Sequence, residues 1–261
     1  MAPIIIFMNY QQLRRQSFFQ LQKPNFSEIL AVLTADKKYD FLRNPATQIS
    51  YTQFCFYIQQ FCQSYFNTTA IDILDWGCGH GQTAVLLNDL GLHVQTADIA
   101  IEPDNRRPLL ALRSIHFTLL HHPFELPFPN ESFDAVVSFG VLEHVPNEAA
   151  SLLEIHRILK PGGLFFCFNL PYFYSWGQRW VHVRGHYYHD RLYKESYIKQ
   201  LLPQYGYNLL DFWHLMLFPK ISIHYGRFSP AMEQLDQFLT NYTPLRYLAT
   251  SLNFTACKTK L

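Results

Sequence analysis

The sequence lacks a dense cluster of lysine and arginine. Its 21 basic and 20 acidic residues leave a formal charge of +1, and the pairs Arg14-Arg15 and Arg106-Arg107 are too short to track a phosphate backbone. Charge therefore offers no case for a nucleic-acid partner, RNA included. The sequence also lacks paired cysteines: Cys55, Cys62, Cys78, Cys167 and Cys257 are odd in number and widely spaced. Neither a disulfide framework nor a zinc site is indicated, and reduced thiols fit a cytoplasmic protein. The run Ile4-Ile5-Ile6-Phe7-Met8 falls far short of the roughly 18 apolar residues of a membrane helix, and no basic start precedes it as in a secretory signal. A soluble chain without an integral membrane segment is expected. There is no internal repeat and no low-complexity tract, which excludes solenoid architectures.

What is present is apolar. Hydrophobic residues make up 49% and charged residues only 16%, so the chain can bury a sizeable interior and fold alone. Its length suits one α/β domain with additions. The 16 Tyr and 23 Phe either line a substrate pocket or fill the core.

Residues 1–70 read as an N-terminal helical cap. Ser50 and Gln53 have the form of a capping box opening a helix through Tyr65, with Phe54, Tyr57, Ile58 and Phe61 at helical spacing. Residues 71–170 alternate strands and helices. Strands are expected at 71–76, 93–98, 115–120, 133–139 and 164–170, and helices after residue 83, near 103–112 and over 147–159, the last stopped by Lys160-Pro161-Gly162-Gly163. Residues 171–261 form a lid and the C-terminal completion of the same domain. An irregular stretch at 171–191 precedes a helix over 194–202, and strands at 207–218 and 251–258 flank a helical excursion around 230–247. The alternation predicts a Rossmann-like, doubly wound, seven-stranded, mostly parallel sheet with helices on both faces.

The chemistry concentrates at the first strand–helix turn, Asp75-Trp76-Gly77-Cys78-Gly79-His80-Gly81. Glycines there allow backbone to approach a ligand at a helix N-terminus. In a dinucleotide loop the third glycine stands three residues after the second. Here position 82 is Gln, and the tighter Gly-x-Gly-x-Gly loop suits a smaller, amino-acid-bearing nucleoside. Asp98 ends the second strand 19 positions beyond Gly79, where a carboxylate can accept both ribose hydroxyls.

The segment Ile73–Gly81 resembles the first motif of class I S-adenosylmethionine methyltransferases. Leu126–Val137, Val141-Leu142-Glu143-His144-Val145 and Arg157–Gly163 resemble the methyltransferase type 11 branch, which includes ubiquinone-type enzymes. The resemblance implies S-adenosylmethionine as cofactor. It places Asp75 near the methionine amino group, the backbone of Gly77, Cys78 and Gly79 with Gly81 under methionine and ribose, and Asp98 with Ile99 at the ribose. It puts Pro123 and Phe124 on the adenine loop and Phe139 by the methionine end. Relatives carry an acidic residue where His122 stands, so the adenine contact differs in this chain.

Methyl transfer requires alignment of an acceptor lone pair and removal of a proton. His144 is the first candidate base. His186 and His189 follow, in a stretch loosely similar to one found in methyltransferases thought to act on sugars or lipid-linked glycans. Quinone-type relatives gather a divalent ion with Glu-x-x-Glu-His. Gly140 replaces the first Glu, which argues against a metal and against a catechol. The expected activity is O-methylation of a small hydroxylated acceptor, a sugar, lipid-linked or aromatic compound. The alternative is a catalytically inactive S-adenosylmethionine-binding partner or scaffold.

Overall fold

The computed structural model describes residues 10–19, 26–32, 40–99, 108–122, 124–185, 189–218 and 229–260. Seven strands occupy β1 (Asp72–Trp76), β2 (His93–Asp98), β3 (His116–Leu119), β4 (Phe133–Phe139), β5 (Leu159–Pro171), β6 (Tyr207–Leu215) and β7 (Ser251–Lys258). They form one sheet in the order β3-β2-β1-β4-β5-β7-β6. All pairs from β3 to β5 are parallel, and β7 runs antiparallel to both β5 and β6. The expected Rossmann-like sheet is the one observed. The order reverses between β1 and β4, so a crevice opens at their carboxyl ends.

Successive side chains of a strand point to opposite faces, and both faces of the central strands are buried. Ile73, Val137 and Phe166 enter one hydrophobic cluster, whereas Leu74, Val136 and Phe165 enter the other. This double burial explains why β1, β4 and β5 read as nearly continuous apolar runs. The first cluster is roofed by α4 (Pro45–Phe66) through Phe54, Tyr57, Ile58 and Phe61. The second is covered by α7 (Glu148–Ile158) and α9 (Glu195–Gln204), through Leu152, Ile155, Ile198 and Leu202.

Several elements differ from expectation. The α4 helix starts at Pro45, not at Ser50: the Asn44 side chain accepts from the Ala46 amide at 3.0 Å, and proline follows the cap. An Asn cap with proline at the first helical position is a strong start signal, and it places Ser50 and Gln53 inside the helix. The irregular 171–191 stretch contains a helix, α8 (Trp176–Val183). The fifth strand begins at Leu159, already paired with Phe133, and passes an irregularity before the Ala135–Leu164 pair. Of the helix expected near 103–112 the structure shows α6 (Pro108–Ala111); residues 100–107 lie outside the described residues.

The remaining described helices are α1 (Tyr10–Phe19), α2 (Phe26–Val32), α3 (Asp40–Arg43), α5 (Gln82–Asp89) and α10 (Ser229–Tyr242), with a 3₁₀ turn at Pro244–Leu248. No helix among the described residues is long and apolar enough to cross a membrane.

Candidate active site

Asp75 and Trp76 end β1 as buried residues. The amides of Gly77 and Cys78 then both donate to the Ala97 carbonyl, at 2.8 and 3.3 Å, which holds the turn against the end of β2. Gly81 caps α5, and its carbonyl accepts from the Val85 amide at 3.0 Å. Gly77, Gly79 and Gly81 all have positive φ, +72°, +54° and +90°, a region costly for residues with a side chain. Their surroundings differ. A Cβ on Gly77 would stand 2.3 Å from Val141 Cγ2, and one on Gly81 2.4 Å from Leu110 Cδ2, whereas one on Gly79 would meet nothing within 4 Å. The outer two glycines thus close the loop onto the protein, and only Gly79 has an open side. Cys78 has a buried side chain, so its part in the loop is played by its backbone.

Asp98 faces this loop. Its Oδ2 accepts from the Gly79 amide at 2.7 Å and its Oδ1 from the Ile99 amide at 2.8 Å. Ile99 itself is half exposed. Asp75 is 1% exposed, and its Oδ2 has no hydrogen-bond partner among the described residues. Burial, aided by the nearby Asp98 charge, pushes its carboxyl up to about 8. A buried carboxyl left in this way favours a cationic partner. The open face of Gly79, the Asp98 carboxylate and the orphaned Asp75 oxygen together fit the nucleoside and ammonium ends of S-adenosylmethionine.

The cradle is roofed by a helix the motif does not include. From α4, Tyr51 receives a hydrogen bond on its hydroxyl from Gln82 Nε2 at 3.2 Å, and its ring lies 5.7 Å from Phe139. Phe139 also packs on Phe54 and Phe168, at 5.3 and 5.0 Å. Burial pushes the Tyr51 hydroxyl up to about 12, so it acts as a neutral hydrogen-bonding group. Tyr51 and Gln82 were not singled out from the sequence. Tyr51 does stand three residues before Phe54 on the same helical face, which was the available signal. At the carboxyl end of β3, His122 stacks on Phe124, with centroids 5.8 Å apart. Both line a cavity of about 380 Å³. Pro123 lies outside the described residues.

A second cluster follows β4. Gly140 turns the chain at φ +63°, and Glu143 comes to lie 1% exposed, its Oε2 without a hydrogen-bond partner. Burial drives its carboxyl upward. His144 Nδ1 lies 3.0 Å from Asp190 Oδ2; a carboxylate only accepts, so Nδ1 carries the hydrogen and Nε2 stays free to accept a proton. His144 Nε2 and His189 Nδ1 lie 3.9 and 3.7 Å from Glu143 Oε1. Burial, with the adjacent His144, drives the His189 imidazole downward. Glu143, His144 and His189 each offer a ligand atom, all within 4.8 Å of one another. The acidic residue missing at Gly140 therefore does not empty this place of donors, because His189 arrives from another segment. His186 lies outside the described residues.

Arg191 and Tyr193 tie the two segments together. Arg191 donates to the Leu142 carbonyl and to Glu148 Oε2, both at 3.2 Å. The Tyr193 hydroxyl lies 3.1 Å from the Leu142 carbonyl and 3.0 Å from Glu148 Oε2. A second tyrosine, Tyr197, also bonds Glu148. This clamp holds His144 beside His189 and Asp190.

The strand order with its reversed last strand and the glycine cradle at the switch point define a Rossmann-like α/β fold. Residues 74–167 match the model of the methyltransferase domain family. It is 38% identical over 99 residues to a "probable S-adenosylmethionine-dependent methyltransferase" of Mycolicibacterium smegmatis, covering 36% of each chain. It is 34% identical over 99 residues to a ubiquinone biosynthesis O-methyltransferase of Colwellia psychrerythraea, covering 37% of this chain and 40% of that one. These matches span well under half the length of either relative. Among solved structures, the 1,6-didemethyltoxoflavin-N1-methyltransferase of Burkholderia thailandensis, with 1,6-didemethyltoxoflavin and S-adenosylhomocysteine bound, shares the fold with a TM-score of 0.54 at 19% identity. That alignment covers 91% of this chain and 92% of that one.

Proposed function

We propose that this chain transfers a methyl group from S-adenosylmethionine to the oxygen of a small hydroxylated acceptor, a sugar, lipid-linked or aromatic alcohol. The observation that carries the donor is Asp75: a buried carboxyl with an unpartnered oxygen, beside the cradle and lacking only a cation. The methionine ammonium supplies one, and Asp98, held at the open glycine, takes the ribose hydroxyls. The stacked His122 and Phe124 support the cavity at the end of β3 as the place of the adenine. Its size is in the range of small-molecule sites.

When bound, S-adenosylmethionine would supply a sulfonium methyl group whose bond to sulfur breaks as its bond to the acceptor oxygen forms, with S-adenosylhomocysteine as the leaving group. His144 receives the acceptor's hydroxyl proton on Nε2, with Asp190 fixing the ring through Nδ1. Positioned proton transfer of this kind contributes roughly 10²–10⁴-fold. His189 and Glu143 complete a polar wall behind it. Tyr51, Phe54 and Phe139 keep water from the methyl-bearing end.

Titration calorimetry with S-adenosylhomocysteine tests the donor half. The wild-type chain should bind it, and Asp98→Ala should weaken binding on the order of a hundredfold, the loss of charge-assisted hydrogen bonds to two hydroxyls. Unchanged affinity would refute the site. Incubation with S-adenosylmethionine and a metabolite extract, followed by mass spectrometry for a one-methylene gain, identifies the acceptor.

A further inference from the structure

At the far edge of the sheet, three strands beyond β4, α1, β6, α9 and α10 with the 3₁₀ turn enclose a cavity of about 190 Å³. Its walls carry Arg14, Arg15, Lys199, Arg246 and His214 against a single lining carboxylate, Glu195. Two of the cations are compensated. Arg14 Nη1 lies 2.9 Å from the buried Asp211 Oδ1, and Lys199 Nζ lies 2.5 Å from Glu195 Oε1. Arg15 and Arg246 have no carboxylate partner among the described residues. They lean instead on aromatic rings, 4.6 Å from Tyr242 and 4.9 Å from Tyr247.

The residues lining the cavity also carry buried nitrogens that lack partners, two of them guanidinium donors. Among the described residues, Arg14 Nε and Arg15 Nε are buried without a hydrogen-bond partner, and so is ring atom Nε2 of His214, a residue 4% exposed. The nearest acid to that imidazole is Glu195, whose Oε2 is 3.8 Å away, too far for a hydrogen bond. Orphaned buried donors cost free energy unless something accepts from them. Guanidinium forks match the oxygens of an oxyanion, and several converging on one small space suit a compact group with many acceptor oxygens. A cavity of this size has room for such a group with some water.

We propose that this cavity is a second ligand site, separate from the methyl-transfer site, that binds a phosphate group between Arg15, Arg246 and His214. The phosphate is either free or carried as a monoester on a larger molecule.

Calorimetric titration with inorganic phosphate and with glycerol 3-phosphate, at constant ionic strength set with chloride, tests it on the full chain. We expect saturable binding of at least one of the two. Arg15→Gln and Arg246→Gln should each weaken it roughly tenfold while S-adenosylhomocysteine binding is unchanged. Tighter binding of the ester would assign the site to a phosphorylated metabolite, and tighter binding of the free ion to phosphate itself. Absence of saturable heat with both ligands would overturn the proposal. So would binding that survives both substitutions, or binding competed by S-adenosylhomocysteine, which would locate it in the donor cleft. Arg246 is exposed, so its variant keeps the test valid should Arg15→Gln fail to fold.

Discussion

Asp75 and Glu143 invite comparison. Each is 1% exposed, each has one carboxyl oxygen without a hydrogen-bond partner, and each is driven upward by burial. Their supports differ. Asp75 sits in a strand registered against β2 and β4, and the cradle beside it is built from the adjoining glycine turn and the end of β2, with side chains from α4 and β4 added as a roof. Glu143 sits in a turn, and its neighbours His189 and Asp190 come from a segment more than 40 positions away in sequence. A donor common to many enzymes is held by local backbone geometry. An acceptor particular to one enzyme is met by side chains gathered from separate segments, where substitution does not disturb the sheet.

The strongest test of this contrast lies in the glycines. Gly77→Ala forces a Cβ to within 2.3 Å of Val141 at φ +72°, and overpacking plus a left-handed side chain should cost about 3 kcal/mol or more. Gly79→Ala shares the left-handed backbone but meets no protein atom, so about 1–2 kcal/mol is expected. Thermal unfolding with and without S-adenosylhomocysteine should therefore show Gly77→Ala losing fold and binding together. Gly79→Ala should keep most of its stability and lose the ligand-induced rise. Equal stability losses in the two variants would show that the open side of Gly79 is not a ligand face.

Next in size is His144→Ala. With the acceptor identified, kcat should fall on the order of 10²–10³-fold while S-adenosylhomocysteine affinity stays level. A fall in both would place His144 in the donor half and remove the contrast.

The pH dependence of the donor site is a smaller effect. The folded pKa of Asp75, about 8, exceeds the ordinary carboxylate value. The stability this group contributes is therefore complete below pH 4 and is lost as pH rises through 8. Binding of an ammonium favours the carboxylate, so S-adenosylhomocysteine affinity should climb with pH to about 8. Asp75→Asn should flatten both curves, giving a variant relatively more stable than wild type above pH 8 and uniformly weaker in binding. An affinity profile in Asp75→Asn that still tracks that of wild type would assign the dependence to another group.

The same contrast explains what could be read in the sequence. Gly79 and Asp98 were legible because a glycine turn and a strand-ending acid 19 positions apart are joined by adjacent parallel strands, and the structure brings them to 2.7 Å. Phe54, Tyr57, Ile58 and Phe61 were legible as a helical face, but the start of their helix was not, because Asn44-Pro45 outranked the apparent box at Ser50. The α8 helix was hidden although Trp176, Trp180 and Val183 recur at helical spacing; all three are exposed, and a stripe facing solvent gives no core-forming pattern. Tyr51, Gln82 and Asp190 were out of reach, since each meets its partner only through tertiary packing. Gly140 speaks for one segment alone, and the sequence does not show that His189 from another stands beside Glu143 and His144.

Asp190 offers the finest test of how loosely the acceptor side is built. It bonds His144 Nδ1 at 3.0 Å, but its side chain is 80% exposed and that of His144 45%. A hydrogen bond to a carboxylate so placed is screened by solvent and salt, and exposed polar pairs contribute roughly 0.2–1 kcal/mol. Asp190→Asn retains a hydrogen-bond acceptor for Nδ1 without the charge, so kcat should fall only about two- to fivefold with KM unchanged. Raising ionic strength should narrow the gap, because salt removes from the wild type what the substitution removes from the variant. A loss as large as that of His144→Ala, insensitive to salt, would mean that the pair becomes buried when the acceptor binds. The segment around residue 190 would then close over the acceptor, and the two halves of the site would be equally well enclosed during reaction.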